Sequence, residues 1–111
     1  MPRDYKVYAE DILESIRRIQ EYTRGLSLDG LKKDTKTLDA VVRNLEVIGE
    51  AAGNIPEQVR LAHAAVDWKN VVGLRNILAH EYFGIDADII WDIIQNKLGG
   101  LKESVQRTLD A

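Results

Sequence analysis

The stretch from Gly73 to Gly84, GLRNILAHEYFG, sets Arg75, Asn76, His80 and Tyr82 into a segment whose remaining residues are mostly apolar. An imidazole has an unperturbed pKa near ~6.5 and takes or gives a proton at neutral pH. A guanidinium stays charged, and its planar fork matches two phosphate oxygens. Together the two groups suit phosphoryl chemistry. RNA carries its own nucleophile, the 2′-hydroxyl beside each phosphate, so a protein that deprotonates it and stabilises the charge on the phosphorane cuts the strand without metal. In this scheme His80 is the base or acid and Arg75 the electrostatic clamp. The products are a 2′,3′-cyclic phosphate and a 5′-hydroxyl.

Helical geometry decides which of these groups can act together. At ~100° per residue and with Arg75 at zero, Asn76 projects near ~100° and His80 near ~140°, while Tyr82 returns close to Arg75 about two turns on. Val71, Leu74, Leu78 and Ile85 form the stripe that should be buried. Asn76 and His80 share the opposite flank with Lys69 and Gly73. Asn76 is positioned to orient the imidazole or bond a phosphate oxygen, and Lys69 adds positive charge for RNA. The ~140° between Arg75 and His80 is awkward for gripping one phosphate, and two such helices set across a cleft by a dimer remove the difficulty. The competing account makes Arg75 and His80 ordinary boundary residues and the histidine a satisfied surface group.

The rest of the chain must position this segment, and its pattern is helical. Tyr5, Tyr8, Ile12, Ile16, Ile19 and Thr23, with Ala9 and Leu13 beside them, recur at the spacing of a long amphipathic helix that ends at Gly25. The polar connection LSLDGLKKD has room for one helical turn, and Asp34 or Thr35 then offers an N-cap. A second long helix runs through Leu38, Val41, Val42, Leu45, Ile48, Ala52 and Ile55 to GNIP, where Pro56 suits the first position of a short helix, PEQVRLAHAAV. Asp67 caps the helix that carries Arg75 and His80, and Gly84 is a left-handed stop. Asp86 restarts the chain into Ile90, Ile94, Leu98, Leu101, Val105 and Leu109, with a kink or frayed tail expected at Gly99 and Gly100. No alternating run reads as a strand. The expectation is an all-α, up-and-down bundle of four main helices plus short ones, dimerising, with one domain spanning residues 1–111.

Composition narrows the function classes. The chain has no cysteine, so it has no disulfide framework, thiolate metal site or cysteine nucleophile. A net charge of −3 means that the surface as a whole does not attract nucleic acid, and any RNA must be held by a local patch. No apolar run approaches membrane-spanning length and the first residues contain no apolar signal region, which points to a cytoplasmic protein with no membrane association. A di-metal carboxylate bundle would need Glu-x-x-His on paired helices, and none occurs, so no metal site is expected. Arg43, Glu46 and Glu50 on the second long helix suit intrahelical ion pairing, with some weight left for support of the cleft. His63 has no evident partner.

At the Arg75–Tyr82 segment the chain resembles the HEPN superfamily, and specifically the HepT-like toxins of HEPN/MNT toxin–antitoxin pairs. The family motif is Arg, four residues, His, any residue, Tyr, commonly with Asn after the Arg, and Arg75, Asn76, His80 and Tyr82 complete it. The blocks AVVRNLEVIGEAAGNIP, WKNVVGLRNILAHEYFGID and IIWDIIQNKL extend the resemblance over nearly the whole chain. It implies an all-helical dimer with a composite ribonuclease cleft that needs no metal and no cofactor, with Arg75 and His80 catalytic. It also implies a partner, a minimal nucleotidyltransferase that neutralises the toxin by transferring AMP from ATP onto Tyr82. A phenol that acquires an adenylyl phosphate there would put negative charge and bulk where RNA must sit. Tyr82 can also stack a base. Two readings compete: a non-catalytic module beside a nucleotidyltransferase that holds a nucleotide or RNA phosphate, and a structural dimerisation bundle, which leaves the motif unexplained.

Overall fold

The computed structural model describes residues 4–64, 66–80 and 87–110, without the side chains of residues 75–80. Seven helices follow one another among the described residues: α1 (Tyr5–Thr23), α2 (Leu28–Lys33), α3 (Thr35–Gly53), α4 (Glu57–Ala62), α5 (Trp68–His80), α6 (Ala87–Asn96) and α7 (Leu98–Asp110). No strand occurs among them, as the 3.6-residue periodicity predicts. No helix of the described residues is long and apolar enough to cross a membrane.

Local chemistry sets the helix ends. Asp4 accepts the Lys6 amide at 3.0 Å and starts α1. Gly25 ends that segment with φ of 78°, a left-handed conformation that a Cβ would strain. Ser27 caps α2 through the Gly30 amide at 3.1 Å. Asp34 caps α3 by accepting both the Thr37 amide at 3.1 Å and the Thr37 hydroxyl at 2.7 Å, bonds that favour the carboxylate and hold its pKa below the ordinary aspartate value. Pro56 stands at the N-cap of α4, so the helix begins at Glu57, one residue later than the sequence pattern predicts.

The central element is α3, which packs on α1 along one side and on α5 along another. Ile12, Ile16 and Ile19 of α1 and Val41, Leu45 and Ile48 of α3 are completely buried, and α2 adds Leu31 to the same core. Polar residues inside it keep their hydrogen bonds local: the Thr23 hydroxyl donates to Ile19 O at 2.8 Å, the Asn44 amide to Ala40 O at 2.9 Å, and the Thr108 hydroxyl to Ser104 O at 3.1 Å. These side chains therefore enter the core without the cost of an unpaired donor. On the outer face of α1, Glu14 sits between Arg17 and Arg18, whose hydrogen bonds pull its pKa down to about 2. Lys32 of α2 meets Asp88 of α6 at 3.3 Å.

Together α6 and α7 make the fourth long element, and the break in it differs from expectation. It lies at Lys97, and Gly99 and Gly100 belong to α7. The backbone bonds Lys97 N–H to Ile93 O at 3.0 Å and Leu101 N–H to Lys97 O at 3.1 Å carry the helical ladder across the bend. Both glycines are exposed, with open space where a Cβ would stand. The glycine cost is thus spread over a turn that remains hydrogen-bonded instead of being relieved by a break at the pair itself. Leu98, just beyond the bend, is buried, so packing of α7 fixes where the direction changes.

Candidate functional site

The helix that carries the candidate residues is anchored firmly at its start. Asp67 accepts the Asn70 amide at 3.4 Å and the Asn70 side-chain amide at 2.6 Å, while its carbonyl receives the Val71 N–H at 3.0 Å. Trp68, the first residue of α5, is 7% exposed and donates its indole N–H to the His63 carbonyl at 3.1 Å. That bond ties the loop after α4 to the beginning of α5. It also gives a structural role to His63, through its backbone and not its imidazole.

From there α5 returns along α3. Val71 is buried, Leu74 is half-buried, and Val72 faces Gly53 near the C-terminal end of α3, where an added Cβ would lie 3.8 Å from Val72 Cγ1. Val71 and Leu74 confirm the start of the expected apolar stripe. The later stripe positions, Leu78 and Ile85, have side chains outside the described part. Trp68 is a buried residue that the expected stripe did not include, although it stands three residues before Val71, on the three-to-four spacing.

The structure places positions 75, 76 and 80 on the last two turns of α5, the helix the spacing predicts, while Arg75, Asn76 and His80 have side chains outside the described part. Tyr82, the proposed site of adenylylation, lies outside the described residues together with Gly84, Ile85 and Asp86. Lys69 is exposed near the beginning of α5. Its position shares a flank with that of His80 but stands ~16 Å from it along the axis, at ~1.5 Å per residue. One copy of α5 thus spreads Lys69 and His80 along its length instead of clustering them. On α3, Arg43 pairs with Glu46 at 3.6 Å, the intrahelical ion pair expected from their spacing. Among the described residues no group of three or more His, Asp or Glu could hold a metal ion.

A cavity of about 300 Å³ opens between α4 and the beginning of α5, lined by Glu57, Arg60, Leu61, Ala64, Val66 and Trp68. The Arg60 Nε is enclosed and has no hydrogen-bond partner. Neither Arg60 nor this cavity was visible from residue spacing, because α4 is too short for its pattern to show which side is covered.

Comparison with known proteins assigns the chain's relatives. The family model described as ribonuclease HepT-like matches residues 12–108. A Methanocaldococcus jannaschii protein that carries a provisional RNase name is 46% identical over 88% of this chain and 82% of its own length. A Thermococcus cleftensis protein, named a probable ribonuclease HepT, is 37% identical over 96% of this chain and 97% of its own. A third, from Caldanaerobacter subterraneus and again provisionally named an RNase, is 39% identical over 92% and 91%. No solved structure matches the chain.

Proposed function

Since the chain belongs to the HepT-like ribonuclease family of the HEPN superfamily, we propose that it is an endoribonuclease that cuts RNA by transesterification from the 2′-hydroxyl. The observation that carries the reading is the placement of Arg75 and His80 on one helix, α5, anchored by Asp67 and Trp68 and backed by α3. His80 moves the proton between the 2′-hydroxyl, or the departing 5′-oxygen, and itself; Arg75 neutralises the charge that builds on the phosphorane. Because these chemical roles are filled by the RNA and two side chains, the cut requires no metal. Two copies of the chain supply the facing halves of the cleft, bringing one helix's guanidinium to the other's imidazole. Asn76 supports the imidazole, and Lys69 and Tyr82 hold the strand.

In this reading the protein is the toxin of a toxin–antitoxin pair acting in the cytoplasm, and its partner is a minimal nucleotidyltransferase that transfers AMP onto Tyr82. The phenolate oxygen attacks the α-phosphorus of ATP, pyrophosphate leaves, and the phenolic proton goes to solvent or a base of the partner. The new phosphodiester excludes RNA by charge and bulk.

The test is cleavage of labelled total RNA in EDTA by protein made without the partner. Fragments ending in cyclic phosphate are expected. Arg75→Ala should lower the rate by about 10²–10³-fold, the cost of removing one electrostatic donor to a charged transition state. Binding of the uncut RNA with no turnover by the wild type would favour the non-catalytic module instead. Mixed with the nucleotidyltransferase and ATP, the wild type should gain the mass of AMP, and Tyr82→Phe should gain none while still cutting RNA. A Tyr82→Phe protein adenylylated like the parent would move the acceptor elsewhere.

A further inference from the structure

We propose that Glu46 of α3 is a positioning residue for the reaction: its carboxylate accepts the imidazole N–H of His80 across the seam between α3 and α5, fixes the orientation of the ring and stabilises its protonated form. This deepens the ribonuclease reading and rests on it for the reaction that the imidazole serves.

Register across the seam sets the two positions at one level. Val72 of α5 faces Gly53 of α3, where an added Cβ would stand 3.8 Å from Val72 Cγ1, and from that contact α5 runs back along α3. Glu46 lies seven residues before Gly53, ~10 Å along the axis and within ~20° of the same direction. Position 80 lies eight residues after Val72, ~12 Å along its own axis and turned by ~80°. In an antiparallel pair, turns of the same sense from the line of contact lead to the same side of the seam, so both positions fall on one flank. Packing agrees with this frame: Leu45, Ile48 and Ala52 of α3 and Val71 of α5, all buried, turn the opposite way from the contact, toward the core. Gly49, one turn before Gly53, is buried and has no side chain to hold α5 away. Packed helix axes stand ~8–10 Å apart, a gap that a glutamate and an imidazole close between them.

The state of Glu46 suits the task. Its side chain is 34% exposed, against 70% for Arg43 one turn before it, and the 3.6 Å between them is longer than a hydrogen bond. Among the described residues the carboxylate has no other partner. The charged groups on the flank of position 80 are Arg43, Glu46 and Glu50 from α3 and Lys69 from α5, with Asp39 ~10 Å beyond Glu46 on α3. Position 75 turns to the other side of the seam. Glu50 is exposed and stands one turn nearer Gly53, at the level of position 76, and Lys69 is ~16 Å from position 80 along α5. Glu46 is therefore the carboxylate whose level matches. An imidazole held by a carboxylate keeps one tautomer, which leaves its other nitrogen for the proton of the 2′-hydroxyl or of the departing oxygen.

The experiment uses His63→Gln protein, in which His80 is the single histidine, and follows its ring protons by NMR as pH is raised, without RNA. Glu46→Gln should lower the imidazole pKa by about one unit, because the carboxylate that favours the imidazolium is gone. Arg43→Ala takes a positive charge from the same flank and should move the pKa the other way. In RNA cleavage, Glu46→Gln should lower kcat by about tenfold or more with KM nearly unchanged, and the limb of the pH profile that reports the imidazole should shift to lower pH. Glu46→Asp, which keeps the charge on a shorter arm, should recover part of the rate. If Glu46 serves only its pair with Arg43, Glu46→Gln and Arg43→Ala lower the unfolding midpoint alike and the imidazole titrates as in the parent. That result overturns the proposal even where the wild type cuts RNA. A pKa that depends on Glu46 in a wild type that cuts nothing keeps the pairing of carboxylate and imidazole and removes the ribonuclease reading.

Discussion

Replacing His80 by alanine is expected to lower the RNA cleavage rate by about 10²–10⁴-fold, the usual contribution of a positioned general acid or base. The position lies at the end of α5, past the Trp68 and Val71 contacts that hold the helix to the rest of the molecule. Helicity and the thermal midpoint should therefore stay close to those of the parent. Added imidazole should restore part of the rate to His80→Ala, since a diffusible base can enter the space vacated by the side chain. A structural histidine would behave otherwise: its loss would move the unfolding midpoint, and imidazole would restore nothing. Equal fragments from parent and variant would remove His80 from the mechanism.

The second large effect is on stability and comes from the middle of α3. Ile48 is completely buried. Ile48→Ala removes apolar atoms and leaves a space that neighbours fill only in part, at a cost of about 2–5 kcal/mol. Against a total of about 5–15 kcal/mol for a domain, that is a large share. Because α5 leans chiefly on α3, the variant should also lose cleavage, although Ile48 touches no RNA. Urea unfolding followed by circular dichroism gives the number: the midpoint should fall with little change in slope. A shift worth less than about 1 kcal/mol would mean that the core around Ile48 closes up more readily than its burial suggests.

The contrast between these variants separates what spacing reveals from what only packing reveals. The long helices were legible because their signals are local. Three-to-four spacing in α1 and α3 names Ile12, Ile16, Leu45 and Ile48, all buried. Asp34 caps α3, and Gly25 takes the positive φ that no Cβ favours. The candidate residues were legible as residue types at a fixed interval, and positions 75 and 80 do fall on one helix. Arg60 was not legible, because α4 is too short to show a covered side; Trp68 stands three residues before Val71 and extends the apolar stripe by one turn, while its bond to the His63 carbonyl has no period that spacing could reveal. The same limit applies to the bend before α7. Glycine pairs weaken a helix wherever they stand, but the chain turns at Lys97, beside the buried Leu98, because burial outweighs the small propensity cost of two exposed glycines.

The pairing of α1 with both α3 and α7 bears on how the molecule is made. A ribosome delivers about 5–20 residues per second, so α1 and α3 can meet while α7 has yet to emerge. Until then the nascent chain exposes the strip of α1 that α7 later covers. The core is therefore completed from α7, whose Val105 is fully buried in it, only after α1 and α3 have already met.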